Sequence, residues 1–238
     1  MALRARLGRG LAGLALLAAV GGCAQIADPN DLSHLSGEER PRAAQRILSS
    51  ALDYLDGRVK AGEIDDRQRG ELIRTRAESL VQTIDPQTVD DEDLWIYGDL
   101  LRTTGRWQDA ADVLKRAAES ATGWDRRVND TLRYAACLAH LGKVDEAIAA
   151  ARSVYKAPDQ ETAPILPATL YELVPAAQGR GRDSQLADLL EEAIACQRRT
   201  KVDRTTDEGK MFLAASIWHI RRADRAIAAL RAGGLTRA

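Results

Sequence analysis

Two short phrases, Gly105-Arg106-Trp107-Gln108-Asp109-Ala110-Ala111 and Gly142-Lys143-Val144-Asp145-Glu146-Ala147-Ile148, repeat one design within a chain of 238 residues. Each joins two helical patterns: a helix carrying small or aromatic residues, a Gly turn, then a helix that opens on Ala. Glycine supplies the backbone freedom a tight reversal needs, and Ala lets the returning helix lie close against the first. A helix pair of this kind cannot bury its apolar face alone, so repeated pairs must stack on one another. Composition agrees. Alanine is abundant, aromatic residues make up 4% of the chain, and strand formers are sparse. No alternating apolar and polar run is bounded by hairpin turn signals. The expected class is all-α.

Around the first phrase, Leu94, Trp95, Ile96, Tyr97, Gly98 and Leu101 precede Gly105, and Trp107, Ala110, Leu114 and Ala117 follow it. Around the second stand Tyr134, Ala135, Leu138, Gly142, Val144, Ala147, Ala151 and Val154. This pattern resembles the tetratricopeptide repeat. A poorer third copy offers Leu170, Leu173, Val174, Ala177, Gly181, Leu186, Leu190 and Ala193. A fourth has Leu213, Ala214, Ile217, Ala226, Ile227 and Leu230, with Arg221 at the turn position. The turn positions lie 37, 39 and 40 residues apart, against a family period of about 34, so each connection between pairs must be longer than standard. Thr122 stands where the family usually closes a repeat with Pro. The resemblance implies a right-handed α-solenoid of antiparallel helix hairpins, roughly five pairs in all. The repeats would occupy 90–232, followed by a short tail over 233–238 that frays from Gly233-Gly234.

The pair before them, expected at about 40–60 and 65–83 within 40–86, lacks the Gly-to-Ala phrase and reads as an atypical cap. Asp85-Pro86 stops it. The four acids Asp90-Asp91-Glu92-Asp93 suit a helix N-terminus better than calcium, since no EF-hand spacing follows. Pro167 fits a first helical turn, whereas Pro175 removes the bond to the Tyr171 carbonyl and predicts a kink. Lys156 to Pro164 reads as a polar connector, and Cys137 and Cys196 as two packed thiols, with a disulfide between adjacent repeats left open.

Residues 1–22 read as an export signal. Arg4, Arg6 and Arg9 precede an apolar stretch, Gly10 to Val20, that is too short to span a bilayer. Val20-Gly21-Gly22-Cys23 resembles a bacterial lipobox, which implies lipidation of Cys23 and a tether over 23–39; an ordinary cleaved signal is the alternative. The lipobox reading places the protein in the cell envelope, lipid-anchored and facing the periplasm, on the outer membrane if the cell has two. The whole chain carries a net charge of −1, and removing the three leader arginines leaves about −4. That balance argues against nucleic acid as the ligand.

No motif announces catalysis, a metal site or a cofactor. Glycine-rich phosphate loops and Gly-x-Ser-x-Gly elbows are absent, and His34, His140 and His219 have no second His or Cys at ligand spacing. The resemblance implies that first helices line a concave groove. It thereby points to Trp95, Asp99, Arg102, Asn129, His140, Tyr171 and Trp218 as partner-binding residues, with His140 and His219 at equivalent helix ends and Trp107 in the core. The reading is a non-enzymatic scaffold that holds an envelope protein or peptide. A cell-wall glycan or small-ligand module, with sugars stacked on Trp95 and Tyr171, is the second reading.

Overall fold

A computed structural model describes residues 31–155 and 165–235. The regular structure of those residues is helical, with no β-strand among them. The leader, Cys23 and the Lys156–Pro164 connector lie outside the described residues. Among the described residues no helix is long and apolar enough to cross a membrane.

Helices α1 (Arg40–Lys60) and α2 (Asp66–Val81) form the first pair, at the expected place. Asp65 and Gln68 open α2 with a reciprocal capping box, which satisfies two backbone donors that the helix leaves free. The chain packs earlier than a tether over 23–39 requires: Leu32 is buried, and the Arg40 guanidinium donates to the carbonyls of Leu35 and Thr83 at 3.1 and 2.9 Å. A short 3₁₀ turn, Pro86–Thr88, follows.

Helices α3 (Leu94–Thr104), α4 (Trp107–Ser120), α5 (Trp124–His140) and α6 (Val144–Tyr155) then succeed one another, each packing on the next. The repeated phrase explains why. Gly105 and Gly142 sit at φ +83° and +82°, in the left-handed region where a side chain is strained. Each closes its helix the same way. The Gly105 and Gly142 amides donate to Arg102 and Ala139, and the amides after them reach back to Leu101 and Leu138 at 3.1 and 2.9 Å. This double closure satisfies carbonyls that a helix end leaves bare. Gly98 allows α3 and α4 to approach: a Cβ there would lie 2.6 Å from Cγ of the fully buried Leu114.

The acidic run before α3 behaves differently from the expected cap. Asp93 caps nothing with its side chain; its buried carboxylate binds Arg42 of α1 at 2.7 and 3.0 Å. A carboxylate out of water needs a cationic partner more than α3 needs a cap.

Pro175 has the disruptive effect its chemistry requires. Helix α7 (Ile165–Ala168) runs into a π-helical turn, Thr169–Leu173, before α8 (Val174–Ala177). There the Val174 amide donates to Thr169, five residues back, so the ladder has gained a residue just ahead of the proline. Thr169 is buried, with its hydroxyl bonded to the Ile165 carbonyl at 2.7 Å and to the Tyr155 hydroxyl. Gly181, at φ +82°, starts the return into α9 (Asp183–Arg199).

The fourth copy does not form a pair. A single helix, α10, runs from Asp207 to Leu235, straight through Arg221 and through Gly233-Gly234. Arginine is a good helix former and has no access to positive φ at low cost, so nothing interrupts the helix where the turn was expected. His219 accordingly lies inside a helix, not near its end. The described residues end in one long helix that packs on α9, where the sequence predicted a further turn and a returning helix.

Two apolar clusters make the core. One joins α1 to α4 and includes Cys137; the other joins α5 to α10 and includes Cys196. Both thiols are free and buried. Burial pushes the Cys137 thiol up to about 12 and raises that of Cys196 as well.

Candidate partner-binding face

Three of the expected groove residues meet in one charged network. Trp95, half-buried on α3, lies under two guanidinium groups of α5, those of Arg133 and Arg126 at 5.0 and 5.7 Å from its ring centre. Arg133 pairs with Asp99 and with Asp130, both at 3.1 Å, and Arg126 holds the other Asp130 oxygen at 2.8 Å. Asp99 binds Arg102 at 2.8 Å, and Arg102 also pairs with Glu172 on the π-helical turn. Alternating charges thus run from Glu172 through Arg102 and Asp99 of α3 to Arg133, Asp130 and Arg126 of α5.

The energetics of this chain are set by burial. Asp130 is fully buried, and desolvation raises its carboxyl pKa despite the pull of Arg126 and Arg133. Arg102 is four-fifths buried, its side chain 19% exposed. Burial opposes its charge, but Glu172 and Asp99 more than offset that and raise its pKa. Its Nε has no hydrogen-bond partner. Such a group is held by its ion pairs, and removing either acid leaves a partly desolvated charge.

Neither Glu172 nor Asp130 was singled out by the sequence. Arg126, Asp130 and Arg133 are spaced four and three apart on one helix face, a legible ion-pairing pattern. Glu172 had no such signal, because its partner Arg102 lies 70 residues away in the sequence.

The remaining expected residues fall elsewhere. His140, on the last turn of α5, stacks flat on Trp107, with ring centres 3.7 Å apart and planes 6° from parallel. Burial, then Arg102 and Arg180, lower its pKa. Trp107, half-buried, packs against the N-terminal core cluster. Asn129 is half-buried on α5, outside the charged network.

Tyr171 and Trp218 come together although they lie on different elements. Their rings are 6.1 Å apart and they stay 39% and 51% exposed. The Tyr171 hydroxyl meets His219 Nδ1 at 3.0 Å. Arg222 lies over both rings, 4.9 Å from the centre of Trp218 and 5.7 Å from that of Tyr171. The result is an exposed aromatic platform with one cation on it.

Comparison of the chain with protein-family models, with curated proteins and with solved structures finds no match.

Proposed function

We propose that this protein is a lipid-anchored scaffold of the cell envelope, built as a right-handed tetratricopeptide-like solenoid of antiparallel hairpins. It holds a protein or peptide partner on the face made by the first helices and performs no catalysis. The observation that carries this reading is the Tyr171–Trp218 platform. Large aromatic rings left half in water offer contact area at little entropic cost, the usual make-up of a binding anchor.

The left-handed turns at Gly105, Gly142 and Gly181 support the repeat architecture. The Arg-rich leader and Val20-Gly21-Gly22-Cys23 support export and anchoring. Arginine partners on Asp99, Asp130 and Glu172 favour a binding role for this face over acid–base work. The partner engages at the aromatic end, because Trp95, Asp99 and Arg102 already satisfy one another.

The test is crosslinking in cells followed by affinity purification from solubilised membranes, comparing the native chain with Tyr171→Ala/Trp218→Ala. One stoichiometric envelope protein, lost in the double variant at unchanged helicity, supports the scaffold. Arg102→Glu is a poor probe, since it would set a third carboxylate beside Asp99 and Glu172. A preparation without a protein partner overturns the reading. Tryptophan fluorescence changes with glycan fragments would then favour sugar stacking on Tyr171 and Trp218.

A further inference from the structure

A second candidate site lies between the end of α9 and the first half of α10, separate from the aromatic platform. It is a cavity of about 470 Å³, within the range of small-molecule sites, roughly 300–1,000 Å³. On one side it is lined by Leu213, Ile217 and Ile220 of α10, with Ile217 half-exposed. Its lining is basic: Arg198, Arg199, Lys201 and Arg204 line it and no carboxylate among the described residues does, Arg199 being turned to the Tyr155 carbonyl and the Cys196 thiol.

Arg198, Lys201 and Arg204 stand apart from the arginines that make ion pairs. Arg42, Arg102, Arg126, Arg133, Arg152 and Arg182 all have acidic partners. Arg198, Lys201 and Arg204 have none among the described residues. Asp203, the acid within the same loop, turns its carboxylate to the amide and hydroxyl of Thr205 at 2.8 and 2.6 Å. Deeper in, Gln197 donates to the Ser216 hydroxyl at 2.7 Å, and both side chains are more than nine-tenths buried. Ser216 already accepts that bond, so its own proton is available to an acceptor in the cavity.

Unpaired cations beside the apolar side chains of α10 select for a ligand that is charged at one end and greasy at the other. The opening is a pocket between two helices and not a flat surface, which suits a single molecule better than a bilayer. We propose that this cavity binds a monomeric anionic amphiphile. A phosphate or carboxylate head would be held by Arg198, Lys201 and Arg204, with the apolar chain against Leu213, Ile217 and Ile220. Such a site is independent of the partner face proposed above.

The test uses the full chain in nanodiscs of neutral phosphatidylcholine, titrated calorimetrically with n-hexyl phosphate and corrected against empty discs. Saturable one-to-one binding is expected, with inorganic phosphate and hexanol each weaker by about tenfold or more. Lys201→Gln/Arg204→Gln should weaken hexyl phosphate by about tenfold and steepen no other property, because both side chains are exposed. Ile217→Ser should weaken it while leaving inorganic phosphate unchanged. Equal affinity for hexyl phosphate and bare phosphate, or full affinity in the double variant, would overturn the proposal. So would flotation on anionic phosphatidylglycerol vesicles that needs the same cations while hexyl phosphate fails to bind, since the surface would then face a membrane.

Discussion

Arg221 occupies the same slot as Gly105 and Gly142, and Ala226 follows it at the same distance as Ala110 and Ala147 follow theirs. The outcomes are opposite. At the two glycines the chain turns with φ above +80° and sends back a packed helix; at Arg221 the helix simply continues. The apolar pattern on either side is therefore not enough for a reversal; a residue that tolerates the left-handed region is needed as well. The difference also shapes the surface. Without a returning helix, the first half of α10 leaves Met211, Ile217 and Trp218 exposed. Both candidate binding sites use this uncovered stretch.

The comparison is tested most severely inside a pair that does form. Gly98→Ala should destabilise the fold by about 1–3 kcal/mol, because the new Cβ drives into Leu114 and overpacks the α3–α4 contact. Gly70→Ala is the matched control on α2, where a Cβ meets nothing within 4 Å. It should stabilise by up to about 1 kcal/mol through helix propensity. Denaturant unfolding of both variants measures the contrast. Equal effects would mean that close approach is not what sets the pairs.

An alkaline effect is seated in the same region. Cys137 is buried beside Arg102, with its thiol held up to about 12 against an ordinary 9.0. Below 9 both folded and unfolded thiols keep the proton, so nothing changes. Between 9 and about 12 the unfolded chain releases it first, and stability falls by up to about 1.4 kcal/mol per pH unit. Cys137→Ala should flatten that part of the stability profile. Thiol reagents at pH 8 should leave Cys137 and Cys196 unmodified until the protein unfolds.

Turn substitutions address the comparison directly. Gly142→Ala forces a side chain to φ +82° and should cost about 1 kcal/mol, with Arg180 Nη1, only 3.0 Å from the new Cβ, able to swing aside. Arg221→Ala should change stability by less than about 0.5 kcal/mol. Arg221→Gly is the variant that can break the argument. It should cost about 1 kcal/mol in α10 and leave the helix whole, since the neighbours on either side still pack as one helix. An amide-exchange pattern showing a new turn at 221 would mean that glycine alone is sufficient.

These same residues show how much could be read in advance. The all-α class and the first pair's bounds followed from helical spacing, and the turns followed from Gly105, Gly142 and Gly181. Pro175 announced a break because its missing N–H is a local fact. What stayed hidden depended on contacts far apart in sequence. Asp93 looked like a cap until Arg42 of α1 was seen to claim it, and Glu172 pairs with Arg102 from 70 residues away in the sequence. The Tyr171–Trp218 contact depends on α10 running straight, and the apolar residues on both sides of Arg221 fit one long helix as well as two short ones. Within a single helix, by contrast, the Arg126–Asp130–Arg133 spacing was there to be read.

The smallest expected effect lies on that uncovered stretch. His219 keeps its ring beside Tyr171 and Arg222, and its pKa is lowered by partial burial first and by Arg222 second. A histidine that resists protonation when folded contributes nothing above the unfolded value near 6.5. As pH falls below it the unfolded chain takes the proton more readily, so stability is lost on the acid side. Because the group is largely solvated, the change belongs in a titration and not in a stability ledger. Arg222→Ala should move the His219 ring resonances to a higher midpoint while leaving those of His140 in place, since Arg102 and Arg180 act on that ring. A midpoint unmoved by Arg222→Ala would mean that burial against Tyr171 and Trp218 alone sets it, and the cation on the platform would lose its electrostatic role there.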